Sequence, residues 1–192
     1  IGCGNAVIPL IVSTKTDAKI IGIEIQKEVF NLAVKSVLLN KKENQIQIIN
    51  ADINNYYINE ITEKYDTITC NPPFFKICEG SKMNNSSYKT VARHEVKLDL
   101  ESLIKIAKKL LKNNGNIAIV HRTQRLVDII TLMRENNIEP KRIQFVYSKE
   151  NKDSNILLIE GTKNGKIGIK LLPPLYVHNS DGSYTFEILK RF

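Results

Sequence analysis

The residues best equipped for chemistry in this chain are Asn71-Pro72-Pro73-Phe74-Phe75, which follow directly on the short apolar run Asp66-Thr67-Ile68-Thr69-Cys70. Neither proline has a backbone N–H and both have a fixed φ, so a strand cannot continue through them. The segment is expected to form a stiff, extended rim at the end of a buried strand, carrying carbonyls, one amide side chain and an aromatic ring. Such a rim can hold a planar base with an exocyclic amine. The Asn71 amide oxygen and the Pro72 carbonyl can each accept a hydrogen bond from the NH2, and Phe74 can stack on the ring.

The elements that must position this rim are readable from periodicity. Val7 to Ser13 reads as a short helix that tolerates Pro9 in its first turn. Ile20 to Ile25 reads as a buried strand, and Gln26 to Asn40 as an amphipathic helix with Val29, Leu32, Ala33, Val37 and Leu39 near helical spacing. Gln45 to Ile49 reads as a strand, Tyr56 to Glu63 as a short helix, and Asp66 to Cys70 as the strand that ends at the rim. Leu100 to Leu111 reads as a helix stopped by Asn113-Asn114-Gly115, Asn116 to Val120 as a strand, and Arg125 to Asn137 as a helix ending before Pro140. Lys141 to Tyr147 and Asn155 to Glu160 read as an antiparallel pair around a polar loop.

Repeated strand–helix units predict an α/β fold: a mostly parallel twisted sheet with helices on both faces and an antiparallel strand at the C-terminal end. No boundary or internal repeat is visible, so residues 1–192 are expected to form a single domain. The chain opens at Ile1 on the turn Gly2-Cys3-Gly4-Asn5-Ala6, which normally follows a buried strand. That strand is almost wholly absent, so the sequence is expected to be N-terminally truncated. Residues 76–97 are polar, without periodicity, and directly follow the rim, as functional loops do.

In such a sheet, ligands bind beyond the carboxyl ends of the strands. Four features fall there in order. Glycines in Gly2-Cys3-Gly4-Asn5 let backbone approach a ligand closely. Glu24, about twenty residues on, suits a carboxylate accepting from both hydroxyls of a ribose. Asp52 can accept from an adenine amine, with Ile25 and Ile53 offering apolar faces, although an isolated Asp is more often a helix cap. Asn71-Pro72-Pro73-Phe74 is the fourth.

With 192 residues, 42% hydrophobic and 25% charged, the composition is that of a globular domain, and no apolar run approaches the roughly 20 residues of a membrane helix. Cys3, Cys70 and Cys78 form no C-x-x-C pair, which suits reduced thiols in a cytoplasm, and the isolated His94, His121 and His178 argue against a metal site. The formal net charge of +8 favours a polyanionic partner, though a Lys-, Ile- and Asn-rich bias makes it soft support.

On Gly2-Cys3-Gly4-Asn5, Glu24, Asp52 and Asn71-Pro72-Pro73-Phe74-Phe75, the chain resembles the Rossmann-like, S-adenosylmethionine-dependent amino-methyltransferases. Within that class it is similar to the bacterial tRNA1(Val) (adenine(37)-N6)-methyltransferase family. Ala92-Arg93-His94-Glu95, Leu172-Pro173-Pro174-Leu175-Tyr176-Val177 and Gly182-Ser183-Tyr184-Thr185 add to that likeness. Ala6 departs from the third glycine of many relatives, a change expected to be mild. The resemblance implies S-adenosylmethionine as cofactor, held by Gly2, Cys3, Gly4, Asn5, Glu24, Ile25, Asp52, Ile53 and Asn71, with no metal. Asn71, Pro72, Pro73 and Phe74 form the catalytic rim, and adenine N6 attacks the sulfonium methyl directly. A cytoplasmic monomer acting on the anticodon stem-loop of a tRNA is expected. Phe74, Phe75, Lys76, Lys82, Lys89 and Arg93 are its candidate RNA contacts.

Other classes remain open at this stage. Guanine-N2 methyltransferases of ribosomal RNA carry a similar tetrad, commonly with His where Phe75 stands. Glutamine methyltransferases of release factors commonly carry Asn-Pro-Pro-Tyr. A non-catalytic RNA-binding module and a nicotinamide-dependent oxidoreductase are the readings from different classes; the latter has no need of the rim.

Overall fold

Short apolar runs alternating with helical spacing set the first half of the chain. A computed structural model describes residues 1–59, 63–72 and 98–190. Its contacts gather into two compact units, Ile1–Glu60 with Phe75–Ser102 and Ile61–Phe74 with Leu103–Phe192. The first unit carries α1 (Val7–Ser13), β1 (Ile20–Glu24), α2 (Lys27–Leu39), β2 (Ile46–Asn50) and α3 (Ile53–Asn59). β1 and β2 pair in parallel, from Ile20 opposite Ile46 to Glu24 opposite Asn50. Parallel strands need a long crossover, and α2 supplies it.

The core of this unit is Ala6, Ala33, Val37 and Ile46, with Leu10, Ile20 and Ile48 packed against it. The face of α2 differs from the expected one: Leu32 is 55% and Leu39 83% exposed, while Ala33 and Val37 are buried. The buried stripe runs in steps of four through Val29, Ala33 and Val37; Leu32 lies about 100° off it at 3.6 residues per turn. α3 starts three residues before the expected Tyr56, because Asp52 Oδ1 accepts the Asn54 backbone N–H at 3.0 Å and caps the helix there.

The second unit holds β3 (Tyr65–Cys70), most of α4 (Leu100–Leu110), β4 (Leu111–Arg122), a 3-10 turn (Thr123–Arg125), α5 (Leu126–Glu135), β5 (Ile138–Tyr147), β6 (Ser154–Lys163), β7 (Lys170–Leu171), β8 (Leu175–Tyr176) and α6 (Phe186–Leu189). Six strands form one sheet in the order β3-β4-β6-β5-β7, with β8 also paired to β5. β3 and β4 are parallel, and β6 is antiparallel to both β4 and β5. The β5–β6 pair around its polar loop is as expected. The insertion of β6 between β4 and β5 is new.

Asn113-Asn114-Gly115 does not separate helix from strand. α4 passes directly into β4, and between Tyr65/Leu111 and Thr67/Asn116 two steps of β3 face five of β4. The three extra residues form a bulge with Asn114 at φ 62°. At Gly115 a Cβ would stand 2.9 Å from the Lys112 carbonyl oxygen, so the bulge requires glycine. Pro140, which has no N–H to give the ladder, sits at a register shift in β5.

The core of this unit is mostly apolar: Leu103, Ile104 and Ala107 of α4, Ile117 of β4, Ile129 and Met133 of α5 and Leu157 of β6 are all at 0% exposure. Full burial of such a large apolar side chain is worth about 1.5–3 kcal/mol. Because β3, β4, β5 and β8 run the same way, Cys70, Arg122, Tyr147 and Tyr176 all finish at one edge of this sheet, and Asn71 leaves from that edge.

Candidate active site

The glycine turn is open where a ligand needs it to be. Gly2 and Gly4 have φ of +63° and +55°, and no heavy atom lies within 4 Å of a Cβ built on either. The turn is tied down by Cys3 N–H donating to the Ile23 carbonyl at 3.0 Å, and by Ala6 N–H donating to the Cys3 carbonyl at 3.0 Å. It lies so close over β1 that a Cβ at Gly22 would stand 3.0 Å from Cys3 Sγ and 2.8 Å from Ile48 Cδ1. Burial, helped by the Glu24 carboxylate, pushes the Cys3 thiol up to about 11. It is therefore a neutral packing group, and its backbone N–H and carbonyl are both engaged in holding the turn. Asn5 is exposed.

Ala6 takes φ 72° and is fully buried in the unit's core. An L-residue in this left-handed region costs about 1–2 kcal/mol, so the replacement of glycine is less mild than expected, and the packed methyl offsets part of it.

Glu24 is only 6% exposed. Its Oε2 accepts the Gly4 N–H at 3.0 Å and its Oε1 accepts the Gln26 N–H at 3.0 Å. Sequence spacing assigned it to a ribose; in the folded chain it braces the glycine turn from below. Each carboxylate oxygen keeps a second lone pair after these bonds, so the two duties are compatible. The end of β1 is further held by Asn50 Nδ2, which donates to the carbonyls of Glu24 and Ile25 at 2.8 and 3.1 Å.

Asp52 performs the capping duty weighed for it, its Oδ1 accepting from the Asn54 backbone N–H and from Asn54 Nδ2, both at 3.0 Å. Ile53 is 6% exposed and belongs to the core, whereas Ile25 is half-buried, so of the two only Ile25 keeps an open apolar face. The glycine turn, Glu24, Ile25 and Asp52 stand together at the carboxyl ends of β1 and β2, as expected from their order. The open glycine backbone and the carboxylate beneath it fit a nucleoside-bearing cofactor.

In the second unit, Asn71 is exposed and Pro72 buried immediately after Cys70, which is 3% exposed. Burial pushes the Cys70 thiol up to about 11, so the strand end carries no charge under the rim. An exposed amide beside a buried proline ring is the arrangement a fixed hydrogen-bonding rim requires. Pro73, Phe74, Phe75, Lys76, Lys82, Lys89 and Arg93 lie outside the described residues, as do Cys78, Tyr88 and His94.

Two further features escaped the sequence reading. His121, near the end of β4, is 5% exposed; its polar type inside an alternating apolar strand was the available signal. The Pro173-Pro174 tail is fastened to β5 by Gln144 Nε2 donating to the Pro173 carbonyl at 3.0 Å and by Leu172 N–H donating to the Ile143 carbonyl at 2.8 Å. Among the described residues no group of three or more His, Cys, Asp or Glu could hold a metal, and no helix is long and apolar enough to cross a membrane.

The family described as methyltransferase small domain matches residues 1–136. The chain is 29% identical over 163 residues to the tRNA1(Val) (adenine(37)-N6)-methyltransferase of Parabacteroides distasonis, covering 83% of this chain and 66% of that one. Proteins of the same name from Aliivibrio salmonicida and Porphyromonas gingivalis are 24% and 28% identical, with 95% and 99% of this chain covered and 75% of each of theirs. The chain thus spans just under two thirds of the Parabacteroides relative and three quarters of the other two. Among solved structures, one described as a predicted O-methyltransferase from Agrobacterium tumefaciens superposes with a TM-score of 0.75 at 17% identity, over 100% of this chain and 85% of that one. Geranyl diphosphate C-methyltransferase from Streptomyces coelicolor, solved with S-adenosyl-L-homocysteine, gives 0.59 at 9% identity, over 84% and 71%. These likenesses establish the Rossmann-like methyltransferase fold.

Proposed function

Because the chain belongs to the methyltransferase small domain family, we propose that it transfers a methyl group from S-adenosylmethionine to the N6 amine of an adenine in tRNA. The observation that carries this reading is the exposed Asn71 with the buried Pro72 at the carboxyl end of β3. Adenine 37 of a valine tRNA is the target that the relatives' names support. The family match runs through both compact units, which supports treating residues 1–192 as one methyltransferase domain.

Gly2, Cys3, Gly4 and Asn5 hold the cofactor with their backbone, Glu24 accepts from its ribose, and Ile25 and Asp52 lie at its adenine end. S-adenosylmethionine, when bound, supplies a methyl already activated on a sulfonium. Asn71 Oδ1 and the Pro72 carbonyl accept hydrogens from the target amine. The amine nitrogen is thereby drawn out of conjugation and aligned, and the positive charge that develops on it is stabilised. Pro73 stiffens the rim, and Phe74 stacks on the base, offsetting the few kcal/mol needed to turn it out of its stack. Phe75, Lys76, Lys82, Lys89 and Arg93 complete the RNA surface, their cations meeting phosphates. A cytoplasmic monomer suits this reading, since folded tRNA and the cofactor are both met there.

The test is incubation with labelled methyl donor and unmodified total tRNA, then nucleoside mass spectrometry. N6-methyladenosine in one tRNA is expected. Label appearing instead in N2-methylguanosine or in protein glutamine overturns the substrate, and no label overturns the enzyme.

A further inference from the structure

We propose that His121 is a positioning residue for the Asn71-Pro72 rim: as a neutral imidazole it holds the carboxyl end of β4 beside the rim, and its protonation releases that end and stops methyl transfer. The inference rests on the rim's being the methyl-acceptor site. Ile68 pairs with Ile117 and Cys70 with Ile119 across the parallel β3–β4 ladder. Side chains of β4 alternate with a period of two, so His121 follows Ile117 and Ile119 on that face, two residues beyond the last β3–β4 pair, as Pro72 lies two residues beyond the end of β3 at Cys70. Both are buried, His121 to 5% exposure. The imidazole therefore lies in β4 at the edge of the sheet from which Asn71 and Pro72 leave β3.

The ring's proton is placed by its partner. Arg122 N–H donates to His121 Nδ1 at 2.8 Å, so the neutral form carries its hydrogen on Nε2. Protonation turns Nδ1 into a donor facing another donor. The bond breaks, and the backbone from β4 into the Thr123–Arg125 turn loses one of its ties, the others being the Arg122–Ile156 pairing and the Thr123 Oγ1–Ser154 Oγ bond.

The surroundings oppose that protonation. Burial comes first, and the guanidiniums of Arg125 and Arg122 add to it, holding the imidazole below its usual value of 6.5; the Asp128 carboxylate of α5 acts the other way. Asp128 is itself engaged by Arg125 Nε. On the β6 side His121 faces Leu157. At neutral pH the ring is uncharged.

The test measures kcat for methyl transfer, with cofactor and tRNA saturating, from pH 5 to 8 in the wild type and in His121→Asn. The Asn amide oxygen occupies the place of Nδ1 and accepts the Arg122 N–H without titrating. We expect the wild type to lose kcat on the acid side with a midpoint below 6.5. His121→Asn should stay within several-fold of wild type at pH 8 and lack that limb. An unchanged acid limb in His121→Asn overturns the proposal. So does 15N NMR of the wild-type imidazole showing the hydrogen on Nδ1, a readout that needs no variant and no turnover. If the wild type methylates a group other than adenine N6, the substrate reading fails while the pH comparison, made on whatever transfer occurs, still decides the role of His121.

Discussion

Replacing Glu24 with Gln tests the brace and the cofactor assignment at once. The two oxygens of Glu24 accept from different N–H groups, Gly4 and Gln26, both at 3.0 Å, in a side chain only 6% exposed. An amide keeps one acceptor and must turn its NH2 toward the other donor. One charge-assisted bond is lost, worth about 1.5–3 kcal/mol, and a donor is left facing a donor. For a chain of this length each kcal/mol moves the melting temperature by about 2–4 °C, so a fall of about 3–12 °C is expected by circular dichroism. The loss of a ribose acceptor of the same strength should weaken S-adenosylmethionine binding about tenfold to a hundredfold in isothermal titration. A melting temperature within about 1 °C of wild type refutes the brace. A lowered melting temperature with unchanged cofactor affinity keeps the brace and removes the ribose contact.

Asn71→Ala should abolish detectable methyl transfer to tRNA while cofactor affinity changes by less than about tenfold, as the role proposed for its amide at the acceptor amine requires; near wild-type turnover ends that role. Gly161→Ala should destabilise by about 1–3 kcal/mol in urea, since its Cβ would stand 2.7 Å from Ile138 Cγ2 and 3.1 Å from Met133 Sδ in the second unit's core. With the Cys3 and Cys70 thiols pushed up to about 11, about one thiol in a thousand is ionised at pH 8, so iodoacetamide should label both slowly and faster as pH rises. The sign for stability follows: these raised values leave it untouched below pH 9, the ordinary thiol value, and erode it as pH climbs toward 11. Changing Lys76, Lys82 and Lys89 together to Ala should lower the salt slope of tRNA binding by about 2–3, and an unchanged slope takes them out of the interface.

Local chemistry alone determined much of this protein. Proline geometry ended β3 at the rim, glycine freedom marked the turn, and apolar periodicity located α1, α2, β1, β2 and the β5–β6 pair to within a few residues. Each of these depends on a handful of consecutive residues. Only tertiary structure decided that β6 inserts between β4 and β5, that Asn113-Asn114-Gly115 becomes a bulge within β4 rather than its start, and that Leu32 and Leu39 face solvent. It also brought the Glu24 carboxylate to the Gly4 N–H and buried His121 near the end of β4. Those outcomes are choices of partner between residues far apart in the chain. A pairing such as His121 with Leu157, or a bond from Gly4 to Glu24, forms only when cooperative burial outweighs the entropy of closing the loop between them.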